Sequence, residues 1–459
     1  MREQKPNFTS LPAVSRERGV LFDRTGVAAP QPGNHTKEVR EMHKRVVLSL
    51  LGAILIAMLA VAGAQSRSSA GTINIGWSGD KSGPTVASQG PAIDGLRTFI
   101  KMTNDAGGVN GQQINLIEKD DSYNVAKELG IVKSFINDDN VVLVTGIGNS
   151  SGFASILPVV TAGKTPALVN QGTLKTNTYP FQPYMFQGNC NYGDQADVAL
   201  GYTQVRAKLS NLKGVKVGIA GIEVASGQEW IQTLKDNVTA AGGIPVTQTL
   251  PAAIVSADVQ VQAFQEAGVK MILMHHSIAG GIAMLRSIAK FGLNVPISGS
   301  YGVTQDLAWT AGPYEASKNF VGTNCYTPLQ VAKSAQGKLA LAMGKKYGVS
   351  DTALAQTNYT LGWVNGMIIV QALKNIKGAV TPASMKAGLE SIRNLNTGDL
   401  SPAVNLTPKC HMAIQQVRPY TYNWSRKSQV PVGTFDQWKK YITNSQAAPG
   451  TCGKPRGAK

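Results

Sequence analysis

The chain has 459 residues, 43% of them apolar and 7% aromatic, with a formal net charge of +17 at pH 7. That length and apolar content can bury a full core over two or three lobes, and 49 glycines among Ala-rich and β-branched runs argue against an all-α or all-β chain. The basic residues are spread, as at Lys345-Lys346 and Lys454-Pro455-Arg456, with no basic stripe interleaved with aromatics, so nucleic acid is not an expected partner.

Residues 1–41 are polar and carry no hydrophobic period, which predicts disorder. His43, Lys44 and Arg45 then precede an apolar run from Val46 to Val61, and Ala62-Gly63-Ala64 supplies small residues where a signal peptidase would cut. Residues 42–64 therefore read as a signal peptide, and an apolar run 16 residues long is short for a membrane span of about 20. The expectation is a chain released after Ala64 into the periplasm or another extracytoplasmic space; the alternative is a retained anchor. Met42 is a candidate start, and the lack of a Cys at the cut argues against a lipid-anchored form. Residues 1–64 hold nine basic and five acidic residues, which leaves +13 beyond them.

From Thr72 onward strand and helix signals alternate. "TINIGWS" predicts a strand, and Ile93, Leu96, Phe99, Ile100 and Met102 fall on helical spacing before the Gly107-Gly108 stop. A strand around Ile114 and Leu116, a helix over 125–137, a strand over 141–145, a helix over 152–162 and a strand over 166–170 complete one doubly wound lobe. The rhythm restarts with strands over 215–220, 245–249, 269–274 and 295–298 and helices over 226–241, 257–267 and 280–291. Helices over 331–346, 352–376 and 382–391 follow, then two strand-like runs, "HMAIQQVRPY" and "TYNWSRK". The fold class is α/β with two similar lobes, and the loops at the carboxyl ends of their strands are the candidate site.

Chemical motifs are few. Cys190, Cys325, Cys410 and Cys452 suit two disulfides in an exported chain, with three pairings open, and no C-x-x-C supports zinc or redox chemistry. Gly163-Lys164-Thr165 ends a helix and has Pro158 where a phosphate loop needs glycine. His275-His276 ends a predicted strand and reads as packed or solvent-facing, not as a metal site, with contact of one of them to a ligand as the alternative. Gly148, Ser150 and Gly152 fit G-x-S-x-G, the pattern of a nucleophile elbow, but no Asp and His spacing accompanies the serine, so no enzyme is expected.

"INIGWSGDKSGPTVASQG", "NDAGGVNG", Asp120-Asp121, "TGIGNSSGFASILPVV", "GKTPALVNQGT" and "LRSIAKFGLNVPISGSYG" together resemble the type I periplasmic solute-binding proteins of the branched-chain amino-acid, amide and urea group. The resemblance runs over about 72–440. It implies two doubly wound parallel-sheet lobes joined by three crossovers around a ligand cleft: lobe one over 72–190 and 325–396, lobe two over 191–324 and 397–445, and a tail over 446–459. It also implies an exported monomer without cofactor or metal, which hands a small polar or carboxylate-bearing solute to an ABC permease and its ATPase. A membrane-anchored sensor of the same fold is the alternative.

Carried over residue by residue, the resemblance puts Ser150, Ser151, Gln171, Gly172 and Thr173 at a ligand carboxylate, where backbone N–H groups at a helix start favour an anion. Ser277, Tyr301, Gln89 and Glu223 are further candidates, with Asp80 and Trp77 behind them. Tyr301 stands where amino-acid binders place the acid that meets the ligand ammonium. That departure favours aromatic acids, amides or urea-like solutes.

Overall fold

The computed structural model describes residues 71–173, 181–442 and 452, all within the unit Ala70–Lys459. The predicted signal peptide, the polar stretch before it and all of the expected tail except Cys452 lie outside the described residues.

Short apolar runs buried on both faces make parallel strands. Strands β1 (Ile73–Gly79), β2 (Ile114–Asp120), β3 (Leu143–Gly146), β4 (Ala167–Val169) and β5 (Met185–Gln187) pair in parallel in the order β2-β1-β3-β4-β5. Helices α1 (Val86–Asp105), α2 (Val125–Asn137) and α3 (Phe153–Ala162) connect them. Asn124 caps α2 by accepting the Lys127 N–H.

Helix α4 (Tyr192–Arg206), capped by Asn191, then packs on a second sheet. Its strands are β6 (Lys216–Ile222), β7 (Ile244–Leu250), β8 (Met271–His275), β9 (Ile297–Gly299) and β10 (Phe320–Asn324), connected through α5 (Ala225–Ala240), α6 (Asp258–Ala267), α7 (Ile278–Lys290), α8 (Asp306–Ala311) and α9 (Tyr314–Ser317). The chain returns to lobe one as α10 (Ala335–Lys346), α11 (Asp351–Ala355), α12 (Thr357–Asn375) and α13 (Pro382–Glu390). Finally β11 (Arg418–Asn423) and β12 (Ser428–Pro431) extend the second sheet in antiparallel fashion, to the order β12-β11-β10-β9-β8-β6-β7.

The single helix expected over 352–376 is two helices. Gln356 is extended, and its Oε1 accepts the Leu307 N–H from α8, so the break ties lobe one to lobe two. The strand-like run from His411 is not a strand of the second sheet over its first part. Met412 bridges Gln187 of the first sheet and pairing with β10 begins at Arg418, so residues 397–417, expected in lobe two, reach that sheet only at their end.

Three crossovers join the lobes, and they are tied to one another. The Gln187 N–H donates to His411 O (2.8 Å) and the Ala413 N–H to Gln187 O (2.9 Å). Tyr420 Oη donates to Tyr326 O (2.7 Å), and a disulfide joins Cys190 to Cys325. A second disulfide joins Cys410 to Cys452.

Candidate functional site between the lobes

The two sheets repeat one order about their first strand, β2-β1-β3 and β7-β6-β8. Where connections leave in opposite directions, a crevice opens outside the carboxyl ends of the strands. The two crevices face each other across one cleft. Thr85, Gln89 and Gly148 line it from the ends of β1 and β3, and Ile222, His275 and His276 from the ends of β6 and β8.

Several groups bridge the lobes directly. The Ser226 N–H donates to Ser150 Oγ (3.0 Å) and the Ala225 N–H to Ser151 Oγ (3.3 Å), both from the first turn of α5. The Ile278 N–H at the start of α7 donates to Ser88 Oγ (3.4 Å). Asn149 accepts the Ser151 N–H (3.1 Å) and holds the turn that presents both serines.

The cleft wall is aromatic and neutral. Tyr192 packs 4.2 Å from the His275 ring and 5.6 Å from the Tyr301 ring. Tyr301 Oη donates to Asn170 O (3.3 Å) across the cleft, while its N–H donates to Gln195 Oε1 (2.7 Å). His275 stands between Ser300 Oγ (2.6 Å) and Ser226 Oγ (2.9 Å), and burial, with His276 beside it, pushes its pKa down to about 3. His276 Nε2 meets Pro251 O (3.0 Å), so this nitrogen carries the proton, and Nδ1 accepts the Ser277 N–H (2.9 Å). Burial pushes its pKa down to about 4 against that carbonyl.

Acids lie behind the wall in lobe one. Asp80 is buried and accepts from the Ser82 N–H (3.1 Å), the Gly83 N–H and both the N–H and hydroxyl of Thr85 (2.7 Å each). Burial pushes Asp121 up to about 6, with the charges of Asp80 and Asp120 adding to it, against bonds from the Tyr123 N–H and Ser78 Oγ. Glu128, under the turn of Ser150–Gly152, is held well above the carboxylate range by burial and by Asp121.

Of the residues the sequence singled out, Gln89, Gln171, Ser277 and Tyr301 line the cleft. Ser150 and Ser151 stand at the seam where the lobes touch. Gly172 packs its Cα against Cys190 O and accepts the Tyr192 N–H (2.8 Å), Thr173 is buried, and Glu223 is exposed and outside the lining. Trp77 is buried in the first-lobe core. Sequence reasoning passed over Tyr123, Tyr192, Asn170 and Ser226. Asn191 with Asp194 three residues later is a helix-start signal that would have placed Tyr192 at a crossover, but nothing local marks Tyr123, whose φ is +59°.

Ser150 does not make the nucleophile–base bond that an esterase needs, because both histidines of the cleft bond other groups. Among the described residues no three His, Cys, Asp or Glu side chains stand together as a metal site, and no helix is long and apolar enough to cross a membrane.

Two doubly wound lobes on three tied crossovers, meeting through hydroxyls and helix starts over a polar cleft, define the two-lobed binding-protein class. The family model described as periplasmic binding protein matches residues 72–428, and the chain belongs to that family. No curated protein matches the chain significantly. Solved structures share its fold. A branched chain amino acid ABC transporter structure from Thermus thermophilus with bound valine is 18% identical at a TM-score of 0.71, covering 80% of this chain and 98% of its own. A fatty acid ABC transporter substrate-binding protein from Thermomonospora curvata is 18% identical at 0.72, covering 83% and 96%. A solute-binding protein from R. palustris in complex with 4-hydroxybenzoate is 17% identical at 0.67, covering 79% and 96%.

Proposed function

We propose that the protein is an exported solute-binding protein that captures a small polar or carboxylate-bearing solute between its lobes and delivers it to an ABC permease and its ATPase. The observation that carries this reading is the pairing of two switch-point crevices across one cleft, each contributing polar side chains to it. The structural relatives, one with bound valine, one a fatty acid transporter's binding protein and one in complex with 4-hydroxybenzoate, support a small organic solute.

In this reading Gln89, Gln171, Ser277 and Tyr301 touch the solute together with Tyr123, Asn170 and His275, while Ser150 and Ser151 act on closure. Lobe one comprises residues 72–190 with the returning helices, and lobe two begins at 191. Solute bonded from both sides shifts the population toward the closed form, and the importer reads that form. No bond is made or broken. Release of the chain after Ala64 places it outside the cytoplasm, and N-terminal sequencing of the mature protein checks it.

The test is a thermal-shift screen of the chain from residue 65 against amino acids, aromatic acids, short amides and urea. A solute at 100 times its Kd stabilises the folded state by about 2.7 kcal/mol. At least one class should raise Tm; no shift from any of them overturns the reading.

A further inference from the structure

The cleft that takes the solute in the reading above is unusual in its charge. Among the described residues no Asp, Glu, Lys or Arg side chain lines it, and its two histidines are neutral. Glu223, next to Ile222, is exposed and outside the lining, Asp194 bonds Asn191, and the buried carboxylates of lobe one, Asp80, Asp121 and Glu128, do not line the cleft either. Asp80 has its oxygens occupied by Thr85, Ser82 and Gly83, and Asp121 bonds Ser78 and the Tyr123 N–H. Segment 174–180, outside the described residues and following Gln171–Thr173, contains no acidic residue in its sequence, LKTNTYP, so it supplies no carboxylate either.

An ammonium ion held in such a place needs an anion or several unoccupied carbonyl oxygens; a buried cation with neither loses several kcal/mol of hydration without return. Carbonyls at and beside the wall already use one of their two lone pairs on the protein's own donors, and none of them carries a formal charge. Asn170 O takes the Tyr301 phenol, Ser88 O takes Asn358 Nδ2 (2.8 Å), Pro251 O takes His276 and Gly172 O takes the Tyr192 N–H. Tyr301 contributes a phenol that itself donates, and beside it stands a second phenol, Tyr192, which packs on the uncharged His275 imidazole.

We infer that the solute carries no ammonium group: the cleft takes an amine-free organic acid, amide or alcohol and rejects the α-amino acid of the same carbon skeleton. This rests on the solute-binding reading, and the experiment separates the two. Calorimetric titration at pH 7.5 compares L-valine with isovalerate and isovaleramide, and L-phenylalanine with 3-phenylpropionate and 3-phenylpropionamide. In at least one set an amine-free member should bind, with the amino acid at least tenfold weaker. An amino acid that binds as tightly as its amine-free counterparts overturns the inference and leaves solute binding intact. Silence from every member of both sets, confirmed by no Tm shift across the wider screen, overturns the solute-binding reading and the inference with it.

Discussion

Ser150 Oγ lies 3.0 Å from the Ser226 N–H and so accepts from the first turn of the facing helix, where the unpaired N–H groups of α5 need partners. In the proposed reading its hydroxyl acts on closure between the lobes, and its removal is expected to act on affinity more than on folding. A net hydrogen bond contributes about 1 kcal/mol, so Ser150→Ala should weaken solute binding roughly fivefold in a calorimetric titration while Tm without solute stays nearly unchanged; unaltered affinity would count against the seam. His275 makes a pH prediction. Its folded pKa near 3 lies below the ordinary value of 6.5, so between those values the unfolded chain binds the extra proton, and stability falls as pH drops through the window. The buried carboxyls of Asp121 and Glu128 are raised and act with the opposite sign, so the histidine must be isolated by difference. In urea titrations from pH 6.5 to 4.5, His275→Gln should lose less stability on acidification than the parent, by up to about 1.4 kcal/mol per pH unit. Parallel pH profiles would refute a neutral buried His275. At this scale the sequence was only partly legible: "GNSSG" located the turn, but whether its hydroxyls meet solute or the other lobe depends on Ser226, 76 residues away from Ser150.

Helix α12 shows how an element can be read in part. Its periodicity predicted a helix over 352–376, but Gln356 breaks it, because that side chain reaches Leu307 in the other lobe, a contact with no trace in local pattern. Helix α4 gave no amphipathic signal since Asp194, Gln195 and Asp197 are buried along with its apolar side chains; it is covered nearly all round. Strand β5 is three residues long, too short for alternation to declare itself. The glycines of α12 have a legible consequence once α1 is beside them. A Cβ on Gly362 would collide with Ala92 O, and one on Gly95 with Tyr359 O, so the two helix backbones meet at these positions. Gly362→Ala gains helix propensity but must push α1 away, and overpacking of this kind costs about 1–3 kcal/mol. Urea unfolding should show that loss, whereas alanine at Gly130, where a Cβ meets nothing within 4 Å, should stabilise α2 by up to about 1 kcal/mol. Equal effects at the two sites would mean that the helices do not meet at their glycines.

Across the whole molecule, the repeated strand order makes two lobes, and the three crossovers decide how they move. The alternating pattern made the doubled lobes legible, whereas residues 397–417 carry little regular structure and are held by single bridges such as Gln187 to Met412, so local pattern says little about the return of the chain. The disulfide pairing was open in sequence because it depends on where the crossovers meet. Cys190 and Cys325 lie in the first two crossovers, 135 residues apart, and Tyr192 of the cleft follows Cys190 by two positions. The bond therefore does two things: it closes a long loop in the unfolded chain, and it fixes the spacing of the first two crossovers. The Cys410–Cys452 bond closes a loop with a separation of only 42. In the chain-entropy picture disulfides contribute about 2–5 kcal/mol, with the longer loop worth about 1 kcal/mol more than the shorter. Cys190→Ser with Cys325→Ser should lower stability to urea by more than Cys410→Ser with Cys452→Ser. Only the first pair should widen the distribution of lobe separations seen by small-angle X-ray scattering of the solute-free protein, and weaken solute binding with it. Identical scattering profiles for both double variants and the parent would show that the hydrogen bonds of Gln187, His411, Ala413 and Tyr420 set the hinge alone, with the Cys190–Cys325 bond acting only on the unfolded chain.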